Sequence, residues 1–188
     1  QQIYPVWAQQ QARLNSELLA VMPPTVAQLF AGETEQQTFV ASVLCSFGNL
    51  INQIPLGTRW LNLELGITAY KLALQVYTRE AFPGKWAATQ NNLANAYKNR
   101  IRGDRAENLE QAITAYQLAL QVYTREAFPE QWAMTQNNLA NAYKNRIRGD
   151  RAENLEQAIT AYQLALQVRT RKAFPEQWAA TQSNLATA

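Results

Sequence analysis

The chain has 188 residues, is 47% apolar, carries a formal charge of only +3 and contains seven glycines and seven prolines. It has no histidine and a single cysteine, Cys45, which closes Ser-His-Asp and Cys-His catalysis, histidine- or cysteine-ligated metals and any internal disulfide. No stretch reaches about 18 uninterrupted apolar residues, and no signal-peptide pattern is present, so no membrane span is expected and a reducing, cytoplasmic setting is. These figures predict a helical, non-enzymatic protein with no cofactor and no metal.

Residues 1–37 read as a helical N-terminal cap. The stretch "YPVWAQQQARLNSELLAVM" places Trp7, Leu14, Leu18 and Val21 on one helical face. Pro23-Pro24 is expected to end that helix and "TVAQLFAG" to form a short second one, because proline removes a backbone donor. Thr34 with Gln37 then offers a capping box for the next helix.

Residues 38–188 form a repeat array, divided as 38–83, 84–129, 130–175 and a partial unit 176–188. Asn62–Glu107 and Asn108–Glu153 align at a period of 46 with six differing pairs: Leu65/Gln111, Gly66/Ala112, Lys71/Gln117, Gly84/Glu130, Lys85/Gln131 and Ala88/Met134. Asn154–Ala188 differs from the preceding copy at five positions, and Gly48, Gly57 and Arg59 mark an older copy upstream. A period in this range signals a solenoid whose units bury their apolar faces against one another. Each unit predicts two helices. Helix A, Pro129–Ile147, opens on proline and aligns Trp132, Gln136, Leu139, Ala140, Tyr143 and Ile147 on one face. Helix B, Asp104–Phe128, carries Leu109, Ala112, Ile113, Tyr116, Leu120 and Tyr123. Phe82, Phe128 and Phe174 are expected to plug the gaps between hairpins. The chain opens on Gln1-Gln2 and stops inside the repeat at Ala188, which predicts a piece of something longer.

"RIRGDRAE" occurs at Arg100–Glu107 and again at Arg146–Glu153, each with an embedded Arg-Gly-Asp. Adhesion receptors read that tripeptide on extended loops, but helix punctuation explains it here. Gly103 would close helix A in the left-handed conformation, and Asp104 with Glu107 would cap helix B.

The pattern resembles the tetratricopeptide repeat, through Gln136-x2-Leu139-Ala140-x2-Tyr143, then Ala158-x3-Tyr162, then Pro175. The lengthened unit is similar to those of kinesin light chain, and "FGNLINQIPLGTRWLNLELGITAY" to cyanobacterial tetratricopeptide proteins that end in caspase-like CHAT domains. The resemblance implies an all-α, right-handed solenoid that binds other proteins within a larger bacterial signalling or protease-effector protein.

In such arrays helix A lines the concave face. The residues pointing away from its partner are Met134, Asn137, Asn141, Lys144 and Asn145, preceded by Asn91, Asn95, Lys98 and Asn99 and followed by Ser183. The oldest copy supplies Cys45, Asn49, Asn52 and Gln53. Asparagine amides both donate and accept, which suits an extended peptide backbone, and the lysines add a preference for acidic or C-terminal groups. The competing reading has these amides bonding to each other across repeats. Asn92, Asn138 and Asn184 are assigned to interhelical hydrogen bonds. Two other functions stay open: self-association as a homo-oligomer through the exposed last helix, and, with weaker support, nucleic-acid binding along the edge formed by Arg100, Arg102, Arg105, Arg146, Arg148 and Arg151.

Overall fold

The computed structural model describes residues 14–55 and 57–188. Eight helices follow one another, with no strand among the described residues. They are α1 (Ser16–Leu29), α2 (Thr34–Gln53), α3 (Arg59–Ala73), α4 (Pro83–Asn99), α5 (Arg105–Leu120), α6 (Pro129–Lys144), α7 (Arg151–Leu166) and α8 (Pro175–Ala186). The pairs α2–α3, α4–α5 and α6–α7 form antiparallel hairpins. Each hairpin packs on the next, so the described residues form an all-α solenoid of helix pairs.

Local chemistry sets the helix boundaries. Pro83, Pro129 and Pro175 stand in the first turns of α4, α6 and α8, where a missing N–H costs nothing. Asp104 and Asp150 cap α5 and α7 by accepting the N–H groups of Glu107 and Glu153 at 2.7 and 3.0 Å. Gly103 and Gly149, at φ +78° and +80°, turn the chain immediately before those caps. The Arg-Gly-Asp copies are therefore helix punctuation. The glycine does not close helix A as expected, because α4 already ends at Asn99. It sets up the entry to helix B instead.

Four further boundaries differ from the sequence reading. Pro23 and Pro24 lie inside one continuous helix, α1, where the Thr25 hydroxyl donates to the Val21 carbonyl at 2.8 Å. Trp7 lies outside the described residues. Gln37 reaches back as expected, but its amide donates to the carbonyls of Phe30 and Gly32, and Thr34 is already helical. Helix A stops at Lys144, so Ile101 and Ile147 project from the A–B turn at 60% exposure and leave the buried face. Helix B ends at Leu120 rather than Phe128. The Thr124 hydroxyl then accepts the Ala127 N–H at 3.2 Å and shapes a turn into α6.

The core runs the length of the array. Leu93, Ala94, Tyr97, Ala112, Ile113, Tyr116, Leu139 and Ala142 pack together across the second and third hairpins. α1 covers the first hairpin through Met22 and Val26, packed with Ala41, Leu44, Leu65 and Ala69. Phe82 and Phe128 close the B–A turns against Tyr77 and Tyr123, with ring centroids 5.5 and 5.4 Å apart.

Candidate partner-binding surface

Three sets of polar contacts recur along the helix-A side. Within each hairpin a helix-B tyrosine donates to a helix-A asparagine: Tyr70 to Asn49 at 2.8 Å, Tyr116 to Asn95 at 2.7 Å and Tyr162 to Asn141 at 3.0 Å. Burial pushes the Tyr70 and Tyr162 hydroxyls up to about 12 and raises Tyr116 as well, so all three remain donors at neutral pH. With Oδ1 taken by the tyrosine, the amide nitrogens of Asn49 and Asn95 are the groups left to face the open side, whereas that of Asn141 donates to the Asn137 carbonyl.

Between hairpins, the Thr135 hydroxyl lies 3.2 Å from Asn91 Oδ1 and the Thr181 hydroxyl 3.2 Å from Asn137 Oδ1. At the first joint Cys45 takes the asparagine's place, with Sγ 3.3 Å from Thr89 Oγ1. Burial raises the Cys45 thiol above its usual 9.0, and the Thr89 hydrogen bond offsets this in part. A second inter-hairpin contact is a clasp. Arg100 binds both oxygens of Glu64 at 2.7 and 2.8 Å and also donates to Asn108. Arg146 does the same with Glu110 and Asn154. Bidentate geometry of this kind fixes orientation as well as adding energy.

The predicted surface residues separate accordingly. Asn49, Asn52, Asn95 and Asn99 come together with Gln53, Arg59, Leu63, Tyr70, Asn92 and Ala96 around one polar cavity of about 210 Å³ between α2 and α4. Asn91 and Asn137 are buried, 3% and 9% exposed, and serve the joints between hairpins, as the competing sequence reading had it. Asn141 is held by Tyr162 and donates to the Asn137 carbonyl, and Asn145 donates to the Asn141 carbonyl. Lys98 is half-buried, and desolvation followed by the Arg105 charge lowers its ammonium pKa. Lys144 donates to Thr187 at 2.6 Å. Ser183 is exposed, and Met134 borders a different cavity, beside Arg169.

Sequence reasoning missed Arg59 and Tyr70 as cavity walls. Asn92 does make the expected interhelical bond, donating to Asn49 at 2.9 Å, and lines the cavity as well. The signal for Tyr70 was available, because Asn49, Asn95 and Asn141 each precede a helix-B tyrosine by 21 residues.

The arginine edge is largely engaged with protein. Besides the two clasps, Arg105 and Arg151 donate to the carbonyls of Lys98 and Lys144, and Arg102 stacks on Trp60 at 4.1 Å. Arg148 pairs with Glu107 at 3.0 Å. Few free guanidinium groups are left there for phosphate.

The tetratricopeptide-repeat family model matches residues 86–125 and 132–171. Those two segments are tetratricopeptide repeats. They cover α4–α5 and α6–α7, and the same helix-pair pattern extends to α2–α3. No curated protein and no solved structure matches the chain. Tetratricopeptide repeats are in general non-catalytic scaffolds for protein–protein interaction, using the extended surfaces that stacked units create. Among the described residues no helix is long and apolar enough to cross a membrane.

Proposed function

We propose that this chain is an interaction scaffold whose helix-A side receives an extended segment of a partner protein, centred on the cavity between α2 and α4. The observation that carries this reading is the orientation of Asn49 and Asn95. Buried tyrosines hold their carbonyl oxygens, which leaves amide N–H groups to meet the carbonyls of a peptide backbone. Asn99 is exposed on the same wall, and the half-buried Lys98 and Lys144, outside the cavity in the last turns of α4 and α6, add positive charge nearby for an acidic side chain or chain terminus. The array then serves as the recruiting part of a larger signalling or protease-effector protein, in line with the residue resemblance to CHAT-linked repeats.

Peptide display against the chain, followed by side-chain amide NMR, tests the proposal. Selected peptides should shift the Asn49, Asn95 and Asn99 amides and should lose at least about tenfold in affinity on Asn99→Ala, which spares every tyrosine bond. Shifts confined to the exposed helix-B residues would defeat the groove reading.

A second reading is self-association, through α2 rather than the last helix: α8 exposes no large apolar side chain, whereas Phe39, Val43 and Leu50 are exposed along α2 at 68%, 50% and 44%. Light scattering of Phe39→Glu beside the parent chain checks it: an oligomer that survives the charge does not use that stripe.

A further inference from the structure

The third B–A turn differs from the first two at one residue. Tyr77 and Tyr123 occupy equivalent places, and each stacks on the phenylalanine that opens the next helix. Tyr123 is buried, packed with Ala87, Ala88, Val122 and Phe128. The third unit has Arg169 at this position. Here a cavity of about 200 Å³ is lined by Val168, Phe174, Ala133 and Met134 together with Arg169 and the polar Glu130, Gln131 and Gln177. The apolar walls correspond to those that hold the tyrosine ring one unit earlier, except that Met134 replaces Ala88.

The Arg169 guanidinium is half-buried, donates through Nη1 to Thr181 Oγ1 at 3.1 Å, and forms no ion pair with a carboxylate among the described residues. Burial also lowers its pKa, the direction expected when a cation is desolvated without a compensating anion. The bond to Thr181 fixes the fork and leaves other N–H groups for an acceptor. A buried arginine with unused donors beside apolar walls suits a planar anion.

We infer that this cavity is a binding site for a small aromatic acid, its ring between Met134 and Phe174 and its carboxylate on Arg169. The sister turns supply the reason for the ring, since the same walls already pack a phenol in two units. Arg169 supplies the reason for the acid. The site lies at the B–A end of α6 and α8, and it stands or falls independently of the amide cavity between α2 and α4.

The test uses 4-hydroxyphenylacetate as probe, with 4-hydroxyphenylacetamide and acetate as controls, followed by NMR at the Met134 methyl, the Thr181 methyl and the Arg169 side chain. The acid should give saturable shifts at all three groups. The amide and acetate should bind at least about tenfold more weakly. Arg169→Tyr, which restores the residue of the sister turns, should abolish the response while keeping the helical circular dichroism of the parent. Arg169→Gln should remove the preference for acid over amide. Equal binding of acid and amide to the parent chain, a full response in Arg169→Tyr, or no saturable shift with any probe overturns the inference. A response only to peptides bearing an aromatic residue would replace the small acid with a protein partner and equally overturn it.

Discussion

At the joint between the first and second hairpins Cys45 faces Thr89 and Arg100 clasps Glu64, while inside the first hairpin Asn52 lies against Gly66. At the joint between the second and third hairpins Asn91 faces Thr135 and Arg146 clasps Glu110, while inside the second hairpin Lys98 and Ala112 occupy the places of Asn52 and Gly66. The two joints have the same geometry although half of their contact residues differ. The shared parts are the arginine clasp and the tyrosine–asparagine bond, whose lengths agree within 0.1 Å between the first two hairpins. Stacking between hairpins is therefore set by the clasp, the tyrosine–asparagine bond fixes each hairpin internally, and the remaining positions adjust to each other in local pairs.

The largest expected effect comes from breaking a clasp. Glu64→Ala and Glu110→Ala each strand a partly buried arginine and should each destabilise by about 2 kcal/mol in urea unfolding. Glu156, the equivalent residue of the third unit, is exposed and has no ion pair among the described residues, so Glu156→Ala should change stability by less than about 0.5 kcal/mol. Equal costs at all three sites would show that the clasp does not hold the joints.

Next in size is the local pairing inside the first hairpin. A Cβ at Gly66 would lie 2.4 Å from Asn52 Oδ1. Gly66→Ala alone should therefore cost about 1–2 kcal/mol. Adding Asn52→Lys recreates the Lys98/Ala112 pair and should recover most of that loss, as a double-mutant cycle would read.

Tyr116→Phe removes the bond to Asn95 and should cost about 1 kcal/mol, as Tyr70→Phe should at the first hairpin. The same bonds set a pH response. Folding favours the protonated hydroxyls, so their contribution is complete below the ordinary tyrosine value of 10.0 and is lost as pH climbs toward about 12. Thermal unfolding should fall over that window, and less steeply in a Tyr70→Phe/Tyr162→Phe chain.

The smallest effect is at the rung itself. Cys45→Asn copies the second joint into the first and should shift stability by no more than about 1 kcal/mol. In the parent chain the raised thiol pKa keeps Cys45 mostly protonated at pH 8, so alkylation should be slow there and accelerate above pH 9.

Much of this architecture was legible in the residues. The 46-residue period placed every hairpin, and the proline, aspartate and glycine positions located the turns. Boundaries failed where tertiary context overrode local signals: Pro23-Pro24 continue a helix packed on α3, and Ile147 leaves the stripe because the helix stops three residues earlier. The site was half legible. Spacing identified a row of amides but could not separate Asn91 and Asn137, which turn into the joint, from Asn95 and Asn99, which do not, because Asn91, Asn95 and Asn99 recur every four residues along one helical side and Asn137 repeats Asn91 one unit later. The Tyr123-to-Arg169 exchange was visible as one of five differences, yet only the packing around the sister tyrosines gives it meaning.

The clasps also govern how the molecule responds to a pull on its two ends. Each clasp arginine ties its own helix pair to the one before it, and among the described residues no polar side-chain tie spans more than one neighbour. Tension should strip hairpins away singly, beginning wherever a clasp is weakest, and the rest of the rod should stay wound until its own turn comes.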